Sequence, residues 1–344
     1  MADDEMVLLE ALSWWGVPSL FRCPIDPDPT NCDIALVGVP HSSGNGSTER
    51  DQHLGPRAVR NVSAHNRRLH KAFDYFSPWE ACRIHDLGDV PLPEAMDNEA
   101  CVERISDFFR RIADAGARPV AIGGDHSISG AILQAIAGEG SRLTDGRPVA
   151  LVHLDAHTDT YENIEHWMGA RKSAAHWAAY TVRQGNVDAS RGTQLGIRGN
   201  TRSRDWLNTS RDLGYDLIEM ERYREIGPAA TIARIRERVG DAPVYISFDL
   251  DSLDPSVAPA VSNIEAGVGG FSIDEANAIL RGLRGLDIVG ADVVCLMPSK
   301  DQPNQITSMV AAHIMFELTS LIADRLVTTG SSAAGSMASR GAAR

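Results

Sequence analysis

Three short segments, far apart in the chain, each follow an apolar run and carry carboxylates and imidazoles at ligand spacing. They are Gly123-Gly124-Asp125-His126-Ser127, Asp155-Ala156-His157-Thr158-Asp159 and Asp249-Leu250-Asp251. The runs before them, at 119–122, 149–154 and 244–248, read as buried β-strands. Residues at the carboxyl ends of parallel strands converge on one crevice. Alternation along an extended chain would put Asp155, His157 and Asp159 on one side, and Asp249 with Asp251. His126, Asp155, His157, Asp159, Asp249 and Asp251 thus form a set of four carboxylates and two imidazoles without a thiolate. Such a set suits Mn, Ni, Fe or Co better than a structural zinc, and it is large enough for two ions. Four ionised carboxylates converge only at great cost without cations.

The chemistry expected of this centre is hydrolytic. With Asp155 and Asp249 bridging two ions, a water between them would ionise near neutral pH, and Asp159 could relay a proton to a departing amine. Phosphoester hydrolysis would call for Arg or Lys beside the ions, and the three motifs supply none. His153 is expected to lie one step deeper, behind the ligands. Asp125 is expected to orient His126.

The remainder of the chain repeats a strand–helix rhythm. Strands are predicted at 33–39, 83–87, 193–197, 216–219 and 288–296 besides the three above. Helices are predicted from Pro56, over 98–115, from Ser127, and over 203–213, 227–239, 273–283 and 304–326. This is an α/β chain with a mainly parallel sheet covered on both faces, a three-layer α/β/α arrangement. We divide it into an N-terminal extension (1–32) on the surface or against a neighbouring subunit, a catalytic domain (33–327) and a disordered tail (328–344). There is no glycine-rich nucleotide fingerprint.

A net charge of −13 argues against nucleic acid or an anionic membrane as partner and favours a cationic small molecule. Five cysteines without a CxxC pair read as reduced thiols. The opening residues lack a basic, then apolar, leader, and no apolar run nears a membrane span, so the expected location is cytoplasmic.

The three motifs, with Gly38-Val39-Pro40, Gly55-Pro56-Arg57 and Asp86-Leu87-Gly88, resemble the signatures of the ureohydrolase (arginase/agmatinase) family over about residues 33–326. The resemblance implies an arginase-like fold, two divalent ions (Mn²⁺ or Ni²⁺), hydrolysis of a guanidine to urea and an amine, and trimers or hexamers. By that resemblance one ion takes His126, Asp155, Asp159 and Asp249, and the other takes Asp155, His157, Asp249 and Asp251. Cys295 stands where the family carries a glutamate that grips the guanidinium. The stretch 172–177 replaces a Ser-His-Gly segment, so His176 is the candidate for the family's proton-carrying histidine. Residues 258–264, including Asn263, replace Ala-Pro-Gly-Thr-Gly-Thr-Pro, and His41-Ser42 replaces Phe-Asp.

Cys295, His41 and Asn263 are the expected substrate contacts, Asp159 and His176 the expected catalytic pair. Trp167 and Trp177 either line the entrance or pack, and His53 is a surface residue. Losing a buried carboxylate removes a charge-assisted hydrogen bond of roughly 1.5–3 kcal/mol. That loss favours a substituted guanidine or biguanide, as in a metformin hydrolase-like branch. The alternatives are an agmatinase or guanidinobutyrase type of activity, a non-catalytic subunit of a hetero-oligomer, and cleavage of a formimidoyl group.

Overall fold

The computed structural model describes residues 15–45, 50–162, 169–201, 203–267 and 269–330. Eight strands form one sheet: β1 (Ile34–Val39), β2 (Ile84–Asp89), β3 (Arg118–Gly123), β4 (Ala150–Leu154), β5 (Thr193–Ile197), β6 (Asp216–Glu219), β7 (Val244–Asp249) and β8 (Ile288–Val294). Their spatial order is β2-β1-β3-β8-β7-β4-β5-β6, and every pairing is parallel. Strands buried on both faces need apolar residues at successive positions, and the pleat then divides them. In β1, Ile34 and Leu36 enter one core while Ala35, Val37 and Val39 enter the other. In β7, Val244, Ile246 and Phe248 take the first side and Tyr245 the second.

The helices fill both outer layers. Helices α1 (Gly55–Val62), α2 (Pro78–Ala81), α7 (Met220–Val239), α8 (Ile273–Gly282) and α9 (Ile306–Thr328) lie on the first face. On the second lie α3 (Asn98–Ala115), α4 (Ser127–Ile136) and α5 (Trp177–Arg183), while α6 (Asn208–Leu213) packs beside α5. Helix ends follow local chemistry. Asp97 caps α3 by accepting from the Ala100 amide, and Gly116 closes it at φ 80°. Ser272 and Glu275 form a capping box at α8.

The three-layer prediction holds, with differences that have physical causes. The helix expected from residue 227 begins at Met220, with a break at Gly227 (φ 73°) before Pro228. Strand β8 stops at Val294 rather than 296, because Cys295 turns to φ 71°. In the described part of the lead-in, from residue 15, Leu20 and Phe21 are fully buried. Their amides donate to Asp86 Oδ2 (2.8 Å) and Ser63 Oγ (2.9 Å). Helix α9 has the length and apolarity of a membrane span, yet 78% of its apolar window is buried inside the protein, as a core helix is. The tail beyond Gly330 lies outside the described residues.

Candidate metal centre

Strands β3, β8, β7 and β4 are neighbours in the sheet. Their carboxyl ends deliver, in order, His126, Cys295, Asp249 with Asp251, and Asp155 with His157 and Asp159. All six predicted ligands line one cavity of about 230 Å³ or sit directly behind its wall.

His126 Nδ1 faces three carboxylate oxygens: Asp159 Oδ2 at 2.9 Å, Asp155 Oδ2 at 3.0 Å and Asp249 Oδ2 at 3.1 Å. Its other nitrogen, Nε2, lies 2.9 Å from Ser247 Oγ. Ser247 donates its own proton to Asp292 Oδ1 (2.8 Å), and Asp292 Oδ2 accepts from Ser129 and Tyr245, both at 2.6 Å. The hydroxyl can therefore only accept from the imidazole, which puts the hydrogen on Nε2 and leaves a lone pair on Nδ1. Four electron-pair donors then meet with no hydrogen bond between them, and Nδ1 is a buried atom without a partner. Only a cation, a proton or a metal ion, satisfies that arrangement. Donors about 2.1 Å from one ion stand roughly 3 Å from each other, which is the spacing found.

The second half of the cluster is similar but more open. His157 Nδ1 lies 3.1 Å from Asp251 Oδ2 and 3.3 Å from Asp155 Oδ1. Asp251 Oδ2 is likewise buried without a hydrogen-bond donor. Asp155 thus spans both halves, one oxygen to each. The residues present fit two divalent ions. The ionisation pattern agrees: burial and the charge of Asp155 push the Asp249 carboxyl up, and burial with Asp249 and Asp155 pushes Asp251 well up. Burial opposes a charge on His126, but Asp159, Asp155 and Asp249 outweigh it and hold the imidazole well above its ordinary range. Such mutual repulsion is what bound cations relieve.

Strand alternation does not place these groups. Strand β4 ends at Leu154, Asp159 sits in the left-handed region (φ 52°), and Asp251 lies in a 3-10 turn where the Asp249 side chain accepts from its amide at 2.8 Å. His153 lies behind, as expected: its Nε2 contacts Asp155 Oδ2 at 2.8 Å, and its Nδ1 accepts from Gln194 at 3.0 Å. Asp125 takes a different part from the one expected. It accepts from the Gly44 amide and from Ser127, while Ser247 orients His126. Trp177 is fully buried, packs 4.8 Å from the His126 ring and donates to Asp159 Oδ2 at 2.7 Å. Trp167 lies outside the described residues.

Of the expected substrate contacts, Cys295 and Asn263 line the cavity. Burial, with the charges of Asp249 and Asp251, pushes the Cys295 thiol well up. His41 does not line the cavity. Its backbone is pinned to the first motif, where the Asp125 amide donates to its carbonyl, and its ring turns to Asn98 on α3, buried away from the cavity. His53 is exposed and bonds Ser42. His176 sits behind the wall, bonded to Ser173 Oγ at 2.8 Å, while Ala174 and Ala175 face the cavity two and one positions earlier.

Sequence reasoning missed several wall residues: Tyr161, whose ring lies tilted against Trp206 with centroids 4.5 Å apart, Asn45, Asn200 and Glu265. Glu265 lies one residue beyond the divergent 258–264 loop, and a lone acidic loop residue carries no signal of its own.

Residues 32–320 match the profile of the arginase family. The guanidinopropionase of Pseudomonas aeruginosa is 37% identical over 329 residues, covering 94% of this chain and 98% of that one. The mitochondrial agmatinase of Gallus gallus is 34% identical, covering 88% and 85%. Among solved structures, proclavaminate amidino hydrolase from Streptomyces clavuligerus superposes with a TM-score of 0.82 at 30% identity, covering 91% of this chain and 99% of that one. The chain belongs to the arginase family, the ureohydrolases that cleave guanidino C–N bonds.

Proposed function

We propose that this protein hydrolyses a substituted guanidine or biguanide to a urea-type product and an amine, with two divalent ions (Mn²⁺ or Ni²⁺) held by the six-residue cluster. The observation that carries the metal is the His126 Nδ1 lone pair amid three carboxylate oxygens. When bound, the ions supply the Lewis acidity that makes water a nucleophile near neutral pH. His126, Asp155, Asp159 and Asp249 would hold one ion, and Asp155, His157, Asp249 and Asp251 the other. Asp159, on the cavity wall, accepts the proton and returns it to the departing amine. His176 has no place in this scheme.

The substrate reading rests on the wall. Cys295, Ala174, Ala175, Tyr161 and Trp206 offer apolar and aromatic surface where alkylated nitrogens would fit, and Asn263 and Asn200 offer neutral polar groups. Among the described residues lining the cavity there is no Arg or Lys to pair a guanidino acid's carboxylate. Agmatine is the runner-up, since a cationic tail meets no repulsion there. A panel of agmatine, guanidino acids, N-alkylguanidines and biguanides, with urea and amine quantified alongside bound metal, tests the proposal. Turnover is expected for the alkylated members; preference for a guanidino acid would overturn the substrate reading.

A second reading has specific support: a catalytically silent subunit of a mixed oligomer. Cys295 in place of a carboxylate and Ala174 on the wall motivate it. It predicts bound metal with no turnover on any substrate until a second polypeptide is added. Assembly into a homo- or hetero-oligomer of family members, trimeric or hexameric, belongs to both readings and is checked by sedimentation. All five cysteines are buried and unpaired, which supports a reducing compartment such as the cytoplasm.

A further inference from the structure

The two halves of the cluster are not equally built. His126 is 2% exposed and its outer nitrogen is fixed by the buried chain Ser247–Asp292. The side chain of His157 is 22% exposed, and its buried partners Asp251 and Asp155 both meet its inner nitrogen, Nδ1. Its outer nitrogen, Nε2, approaches one acidic group among the described residues, Glu265 Oε1 at 3.5 Å.

Gly199, at φ 89°, lies against Glu265, and a Cβ there would come within 2.2 Å of Glu265 Oε2. Arg198, 8% exposed, donates to the carbonyls of Asp251 (2.6 Å), Leu253 (3.1 Å) and Ser252 (3.3 Å), and also to that of Glu265 (3.4 Å). One guanidinium therefore ties the turn that carries Asp251 to the loop that carries Glu265. An imidazole that ligates through Nδ1 must keep its hydrogen on Nε2, and an acceptor facing that hydrogen fixes both tautomer and ring angle.

We propose that Glu265 is the positioning residue of the second cation site, holding His157 so that this site's affinity is set by the loop between β7 and α8. The inference rests on the two-ion reading above. Removing such an outer partner costs 10–100-fold in metal affinity. In Glu265→Ala, the second Mn²⁺ is expected to bind about 10–100-fold more weakly while the first is unchanged. Equilibrium dialysis with elemental analysis reads the stoichiometry, and electron paramagnetic resonance reads the change from a coupled pair to a single ion. Glu265→Gln keeps an acceptor oxygen and is expected to recover part of the affinity. Excess Mn²⁺ is expected to restore occupancy in Glu265→Ala, which a merely misfolded loop would not allow. Wild-type affinity for both ions in Glu265→Ala, or equal loss of both, would overturn this inference alone. A wild-type protein that binds no ion under saturating Mn²⁺ or Ni²⁺ would overturn the two-ion reading and this inference with it.

Discussion

Ser247→Ala isolates the contact on which the orientation of His126 depends. Ser247 Oγ lies 2.9 Å from His126 Nε2 and 2.8 Å from Asp292 Oδ1, all within the core. Deleting it has two separable effects. Asp292 keeps Ser129 and Tyr245 on Oδ2, but Oδ1 loses its Ser247 donor, and an unsatisfied buried acceptor costs about 1–3 kcal/mol of stability. The His126 ring also loses the acceptor that fixes its hydrogen on Nε2, which costs about 10–100-fold in affinity for the first ion, or about 1.4–2.8 kcal/mol. Denaturant unfolding of the metal-free protein measures the first effect, and competition with a chelator measures the second. The expected variant is both less stable and weaker in metal. If it is destabilised yet binds both ions with wild-type affinity, the tautomer argument fails and the contact is packing only.

Two other perturbations probe the surroundings. Trp177→Phe removes the 2.7 Å bond to Asp159 Oδ2, a charge-assisted contact of about 1.5–3 kcal/mol. If Asp159 carries the proton as proposed, kcat falls by about ten- to a hundredfold with KM little changed; a change confined to KM would refute that role. Glu317 is fully buried, and although burial opposes its charge, hydrogen bonds from His70 and Arg281 bring its carboxyl from 4.5 down to about 2. A depressed carboxyl stabilises the fold fully above its unfolded value and loses that contribution as pH falls toward 2, here roughly 3 kcal/mol. The stability gap between wild type and Glu317→Gln should therefore narrow between about pH 4.5 and 2. A gap that is constant with pH would show that the ion pair is not what stabilises this corner.

The fold was legible because doubly buried strands must be almost wholly apolar, so the runs in β1, β3, β4 and β7 stand out against polar helix faces. The ligands were legible because they lie within a few residues of strand ends, where the chain has little freedom to wander. The route to that conclusion was nonetheless wrong in detail, since turns rather than strand alternation aim Asp159 and Asp251. Helix α5 escaped notice because its N-cap, His176, makes no side-chain cap bond. Leu20 and Phe21 are two apolar residues without periodicity, and nothing local says that they are buried. His41 and His176 show the same limit: proximity in sequence to a motif fixes a backbone, not the direction of a side chain. The cavity wall is assembled from the loops after several different strands, so it becomes visible only once those loops are folded together.

Cys295 shows why that wall matters more to chemistry than to folding. A cysteine at φ 71° occupies a region that glycine enters freely and that costs another residue roughly 1–2 kcal/mol. The turn is imposed by the sheet. Asp249 is in register with Val294, and the Cys295 amide must reach the Gly124 carbonyl at 2.9 Å. Glycine would satisfy both demands with less strain, so packing alone does not select cysteine here. What the side chain gains is position. Its sulfur stands within 4.8 Å of ligand atoms of Asp249 and His126. Strain retained at such a point argues for function. On the proposed function, position 295 is where a neutral group in place of a carboxylate would change which guanidine is accepted, while the cluster beneath it stays the same.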